Sequence, residues 1–195
     1  MAGLSDATKD RFQRLVADIV VPPLKAAGYR KQGLVWHRRS GRVTPVVDIQ
    51  RGWGSEHDHT EFTLNWGLYV PEFEVAAFGT RGASPKAYKA PVAGRVGAFS
   101  DREHEIWWQI EAGRLGRNWP SLKSLDDRDC EREIGDLLGR MLRFLDENGD
   151  FLSLVRLVDE AVLGPDRAPG GATLQVLPGG RAVRDLLHVI AADLS

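Results

Sequence analysis

Three side chains able to bind a metal stand together in "QRGWGSEHDHTEFTLNWGLYV", residues 50–70: His57, Asp58 and His59. Histidines at i and i+2 share one face of an extended strand, so with one more ligand they could hold a metal ion. Glu56 and Glu61 lie close in sequence, and His37 and His104 are further histidines that could contribute. Zinc sites usually draw ligands from more than one element, and the sequence gives no distant partner. The opposing reading of "GWGSEHDHTE" is a polar hairpin connection with glycines for its turns. His57 and His59 are therefore weak metal candidates, and no cofactor is expected.

The strand that follows is more informative. Phe62, Leu64, Trp66, Leu68 and Val70 alternate with Thr63, Asn65, Gly67 and Tyr69. Such alternation belongs to a strand with one apolar face and one mixed face. In "EIWWQIE" the same logic places Ile106, Trp108 and Ile110 on one face and Trp107 and Gln109 on the other. If the strands pair, Gln50, Asn65, Tyr69, Arg95 and Trp107 converge on the mixed face. Amide, aromatic and guanidinium groups together are the chemistry of a binding surface. The alternative is that a C-terminal extension covers this face, which makes the same residues an interior polar network.

Other clusters have plainer readings. Residues 22–52 carry Lys25, Arg30, Lys31, Arg38, Arg39, Arg42 and Arg51 against one acid, Asp48. This surplus could bind RNA phosphates, with Trp36 or Trp53 stacking on bases. Adjacent strand residues point to opposite faces, however, so Arg38 and Arg39 do not make one patch. Asp126, Asp127, Asp129, Glu131 and Glu133 suit the first turns of a helix, whose dipole favours acids there. Glu103 and Glu105 could form a carboxylate pair, but the sequence fixes no distance between them. The single cysteine, Cys130, lies between Asp129 and Glu131, neighbours that raise a thiol pKa. Phosphate-loop, zinc-protease, nucleophile-elbow and dinucleotide motifs are absent.

The elements that position these groups can be read along the chain. A helix with an apolar stripe of Phe12, Leu15, Val16, Ile19 and Val20 spans about 5–28 and is interrupted by Pro22 and Pro23. Strands are expected at 33–39, 44–51, 61–70, 92–99 and 105–111, with a long connection and one short helix over 71–90. Ile134, Leu137, Leu138, Met141, Leu142 and Leu145 predict a helix over about 124–147. Two more helical pieces, "FLSLVRLVDEAVL" and "RAVRDLLHVIAADLS", flank a Gly- and Pro-rich stretch at 164–180 around a short possible strand, "ATLQVL".

At 195 residues, with a net charge of -1, the chain has room for one ordinary domain and no general attraction to polyanions. One cysteine excludes an intramolecular disulfide and fits a reducing compartment. The N-terminus lacks a secretory pattern, and no apolar run reaches membrane-spanning length. The expectation is a soluble, cytoplasmic protein with no membrane partner and no nucleic-acid partner.

One ordered series of short motifs remains: "RFQRLVADIVVPPLKAAGYRKQG", "VWHRR", "VVDIQR" with a Gln near the end of a strand, "FTLNWGLYV", "GRVGAF" and "IWWQI". In this order they resemble the bacterial domain-of-unknown-function 4304 family over about residues 10–150. The resemblance implies an α+β fold and brings no activity, cofactor or catalytic residue. The region 71–90 and the chain after about 150 depart from the family pattern.

The architecture expected is α+β: an antiparallel sheet of four to six strands with helices packed on one face. Residues 1–150 form the family's domain, and residues 151–195 form a helical C-terminal extension packed on it. The function expected is non-enzymatic binding or protein interaction, immunity-like or antitoxin-like in its most concrete form, through Gln50, Asn65, Tyr69, Arg95 and Trp107. No catalytic residue is assigned. The competing classes are a metal-dependent hydrolase using His57 and His59, and an RNA-binding protein using the basic segment 22–52.

Overall fold

The computed structural model describes residues 5–53, 58–101, 105–118, 126–163, 175–176 and 180–192. The fold is α+β, an open antiparallel sheet with helices that include the C-terminal ones. Among the described residues the strands are β1 (Arg30–Gln32), β2 (Val35–His37), β3 (Thr44–Arg51), β4 (His59–Tyr69), β5 (Val92–Arg95), β6 (Trp107–Glu111), β7 (Arg114–Asn118) and β8 (Gln175–Val176). The helices are α1 (Asp6–Leu15), α2 (Val21–Ala26), α3 (Pro71–Phe78), α4 (Asp127–Glu147), α5 (Phe151–Leu163) and α6 (Gly180–Ala192).

β4 organises the sheet. One of its edges pairs with β3 from Phe62 to Tyr69. Its other edge pairs first with β6, from His59 to Phe62, and then with β5, from Asn65 to Leu68. Thr63 faces the gap between these two partners, and its buried hydroxyl donates to the Ile106 carbonyl at 2.7 Å. A broken ladder would leave a buried acceptor unsatisfied, and this side chain meets it.

The apolar face follows from the alternation in β4. Phe62, Leu64, Trp66 and Leu68 are all buried against α1 and α4 residues such as Phe12, Ile134 and Met141. Aromatic rings lock the two ends of this layer. Phe12, Phe62 and Trp108 contact one another in series at one end, and Trp66, Phe99 and Phe144 do so at the other. Gly94 lies opposite Trp66, and a Cβ there would stand 2.8 Å from the indole, so this strand position must be glycine for the ring to lie flat. Leu154, Val158, Val183 and Leu187 of α5 and α6 join the same core.

The N-terminal helix does not break where Pro22 and Pro23 remove two amide donors. Between α1 and α2, Val16–Val20 widens into a π-helical turn, in which the Val21 N–H donates to the Val16 carbonyl. The prolines then sit in the first turn of α2, where their fixed φ suits a helical start. α1 is tied to α4 by Arg11, which is largely buried and bonds Glu131 at 2.7 Å and Asp127 at 3.3 Å.

The acids at the start of α4 have structural roles. Asp126 caps the helix by accepting from the Asp129 N–H at 2.8 Å, and Glu133 accepts from the Trp108 indole at 3.0 Å. Cys130 beneath them is fully buried, and burial, with Glu133 and Asp127 adding to it, pushes its thiol up to about 12. In the folded protein a thiol reagent at pH 8 is expected to modify Cys130 at least a hundredfold more slowly than in denaturant. Equal rates in the two states would contradict this environment.

Candidate binding site

The mixed face of the sheet is built row by row from strand register. Asp48 on β3 stands opposite Asn65 on β4, and Asn65 stands opposite Arg95 on β5. Gln50 is two residues beyond Asp48 on the same face. Asn65 Nδ2 donates to Asp48 Oδ1 at 2.9 Å and to Gln50 Oε1 at 3.1 Å.

This chain of bonds has a direction. An ionised carboxylate only accepts, so Asp48 fixes Asn65 with its NH2 inward, and the second N–H of that group fixes the Gln50 carbonyl. Gln50 Nε2 and Asn65 Oδ1 receive no hydrogen bond partner among the described residues. One amide therefore presents donors and the other an acceptor. Burial raises the Asp48 pKa above its ordinary value, against the opposing influence of Asn65, the Ala87 backbone N–H and Lys86.

Arg95 completes the group. Its guanidinium lies over the Trp107 ring at 5.2 Å and pairs with Glu105. The stack and the ion pair together hold a long side chain in one orientation. Gln50, Asn65 and Arg95, with Ala87, Tyr88 and Glu105, line a cavity of about 460 Å³. Tyr88 at its mouth is 68% exposed, a large aromatic surface in water.

What closes the other side of the cavity is the connection 71–90. Its short 3₁₀ turn, Ala87–Lys89, lies on the mixed face of β4. Gly67 makes this approach possible, since a Cβ there would meet the Ala87 carbonyl and the Ala90 Cβ at 2.9 Å. Val46, Tyr69, Ala87 and Ala90 form a small second core under the turn. The C-terminal helices pack on the apolar face instead.

Four of the five residues that the sequence points to are thus gathered: Gln50, Asn65 and Arg95 line the cavity, and Trp107 supports Arg95 from beside it. Tyr69 shares their face but lies on the far side of the turn, buried and hydrogen-bonded to Glu74. Burial and then the Glu74 bond push its phenol up to about 12. Tyr88 escapes the sequence reading, and Asp48 and Glu105 enter it only as the one acid of the basic segment and as half of a possible carboxylate pair, not as members of this site. Asp48 carries a usable signal, being a lone acid in the apolar strand "TPVVDIQR"; Tyr88 sits in an aperiodic connection and carries none.

His57 and Glu103 lie outside the described residues. His59 opens β4 and bonds Glu61 at 3.2 Å. Among the described residues no group of three His, Cys, Asp or Glu side chains could hold a metal. The basic segment is dispersed. Arg38 bonds Asp146 at 2.8 Å, Arg42 pairs with Glu72 at 3.8 Å, and Lys31 lies over Trp36, which is buried in the core. Trp53 is fully exposed. No described helix is long and apolar enough to cross a membrane.

Comparison with protein-family models matches residues 20–118, just over half of the chain, to the family described as "Domain of unknown function (DUF4304)". The matched region runs from the π-helical turn to the end of β7 and contains every residue that lines the cavity. No curated protein and no solved structure matches the chain.

Proposed function

The chain belongs to the domain-of-unknown-function 4304 family, and from that premise we propose that it is a non-enzymatic binding domain for a protein partner, gripped at the Gln50–Asn65–Arg95 cavity. The observation that carries this reading is the directed amide pair. A peptide unit offers one C=O and one N–H, and Gln50 Nε2 with Asn65 Oδ1 offers the matching donor and acceptor. Tyr88, exposed at the mouth, adds the aromatic contact that interface centres favour. Arg95 is pre-oriented by Trp107 and Glu105, which reduces the ordering cost of binding. The groups of the cavity are held by one another, as in a preformed recognition surface. A toxin neutralised by occupation of this face is the most concrete form of such a partner.

The test is selection from a random peptide library against the purified protein. Peptides are expected that bind the wild type and lose about tenfold or more in affinity with Asn65→Ala, the effect of removing a buried hydrogen-bonding partner. Asp48→Ala is expected to weaken the same peptides, because it removes the group that sets the direction of the amides. Selected peptides indifferent to both substitutions, or no selected peptide at all, would overturn the proposal.

A further inference from the structure

The turn at Ala87–Lys89 divides the mixed face, and the half beyond it contains a second cavity, of about 240 Å³. His37, Arg39 and Thr44 line it from β2, β3 and their connection, and Arg81 and Ser84 line it from the crossing segment. Register explains the convergence. His37 pairs with Val46 and Thr44 pairs with Tyr69, while the Arg38 N–H bonds the Pro45 carbonyl, so Arg39 falls level with Thr44 on the mixed face.

Charge accumulates here without compensation. Arg30 stands opposite His37 on β1 and lines, with His37 and Arg39, an adjoining hollow of about 450 Å³. Neither Arg30 nor Arg39 has a carboxylate within ion-pair distance among the described residues. The nearest buried acid, Glu74, is already bound by Lys89, by the Tyr69 hydroxyl and by the Gly82 N–H. His37 Nδ1 is shut off from solvent and has no hydrogen-bond partner among the described residues. Burial, and after it Arg39 and Arg30, lowers the pKa of this imidazole. An unpaired cluster of cations in a concave site attracts an anion.

We propose that the cavity formed by His37, Arg39, Thr44, Arg81 and Ser84 binds the phosphate of a small phosphate monoester, at a site distinct from the Gln50–Asn65–Arg95 cavity. The number of donors selects the ligand. Two guanidinium groups, that of Arg81 already donating to the Tyr69 hydroxyl, with an imidazole and two hydroxyls still outnumber what the two oxygens of a carboxylate or a phosphodiester accept best. A monoester offers three terminal oxygens and close to two negative charges at neutral pH.

NMR of the full chain provides the test, with the His37 ring signal as reporter and inorganic phosphate, phenyl phosphate, diphenyl phosphate and acetate as probes. Inorganic phosphate and phenyl phosphate are expected to shift the signal saturably, and diphenyl phosphate and acetate are expected to bind at least tenfold more weakly. Tighter binding of phenyl phosphate than of inorganic phosphate identifies an ester as the ligand; equal binding identifies the free ion, and either supports a phosphate site. Arg39→Gln, alone and with Arg81→Gln, is expected to weaken binding at least tenfold. Both side chains are exposed, so the fold survives these changes. No saturable shift, equal binding of acetate, or unchanged affinity in the double variant would overturn the assignment. Peptide binding at the other cavity is expected to persist in these variants, which separates the two proposals.

Discussion

Gly67→Val is expected to lower the unfolding free energy by about 3 kcal/mol, at the upper end of overpacking costs, and to abolish peptide binding at the Gln50–Asn65–Arg95 cavity. The position is one where backbone meets side chain. A Cβ at Gly67 would contact the Ala87 carbonyl at 2.9 Å and the Ala87 Cα at 3.0 Å. Backbone atoms cannot rotate away as the end of a flexible side chain can. The turn Ala87–Lys89 must therefore lift from the sheet, taking with it the Ala87 and Tyr88 wall of the cavity. Lifting it also removes the Ala87 N–H from Asp48, which already bears the cost of burial. Gly67→Ala asks for a smaller displacement and is expected to fall between the two. Urea denaturation together with peptide titration provides the measurement. A Gly67→Val protein with wild-type stability would mean that the turn does not rest on β4.

Glu74→Ala is expected to cost about 2–3 kcal/mol at pH 7, through the lost contacts of a buried side chain and an unsatisfied Tyr69 hydroxyl. Glu74 is fully buried at the start of the connection and receives bonds from Tyr69, Lys89 and Gly82. Burial pushes its pKa up, but those bonds outweigh burial and the net shift is downward. A carboxyl whose folded pKa lies below its unfolded value, about 4.3 for Glu, contributes its full stability above that value. The contribution disappears as the pH falls through the folded pKa. The wild type is thus expected to lose stability on acidification below about pH 4.3 more steeply than Glu74→Ala does. Lys89→Met is expected to flatten this slope, because it removes a hydrogen bond and a charge that hold the carboxyl down while its burial stays in place. Parallel urea titrations from acid to neutral pH check both slopes; identical slopes in wild type and Glu74→Ala would refute the role given to this carboxylate.

How much of this was legible depends on whether a residue's environment has a period. The strand "FTLNWGLYV" was legible because apolar residue types recur with a period of two, and those positions all lie in the core; burial itself does not alternate, since Thr63, Gly67 and Tyr69 are buried on the other face. The acids of α4 were legible because first-turn electrostatics is local. The α+β class and the family resemblance both held. β7 was not read, because Leu115 is the one apolar side chain in "RLGRN", so the segment shows no apolar rhythm. Its hairpin signal, Ala112–Gly113 with both φ angles positive, lies in two residues. The cover on the mixed face was also hidden. It comes from the Pro- and Gly-rich connection 71–90, whose packing is set by one glycine on the strand before it rather than by any pattern of its own. For the same reason Tyr69, in phase with Asn65 along β4, ends in a different chamber.

β4 carries a consequence for the order in which the molecule assembles. Its partner β3 precedes it in the chain, and β2 and β1 extend the same antiparallel series, so the first four strands need only short loops to close. β6 and β5 then compete for the one remaining edge, and the Thr63 bond to Ile106 marks where their claims meet. A chain folding by the cheapest closures would form the four-stranded meander early and settle the shared edge late. The binding cavity, which needs Arg95 from one claimant and Glu105 from the approach to the other, would then be among the last features to appear.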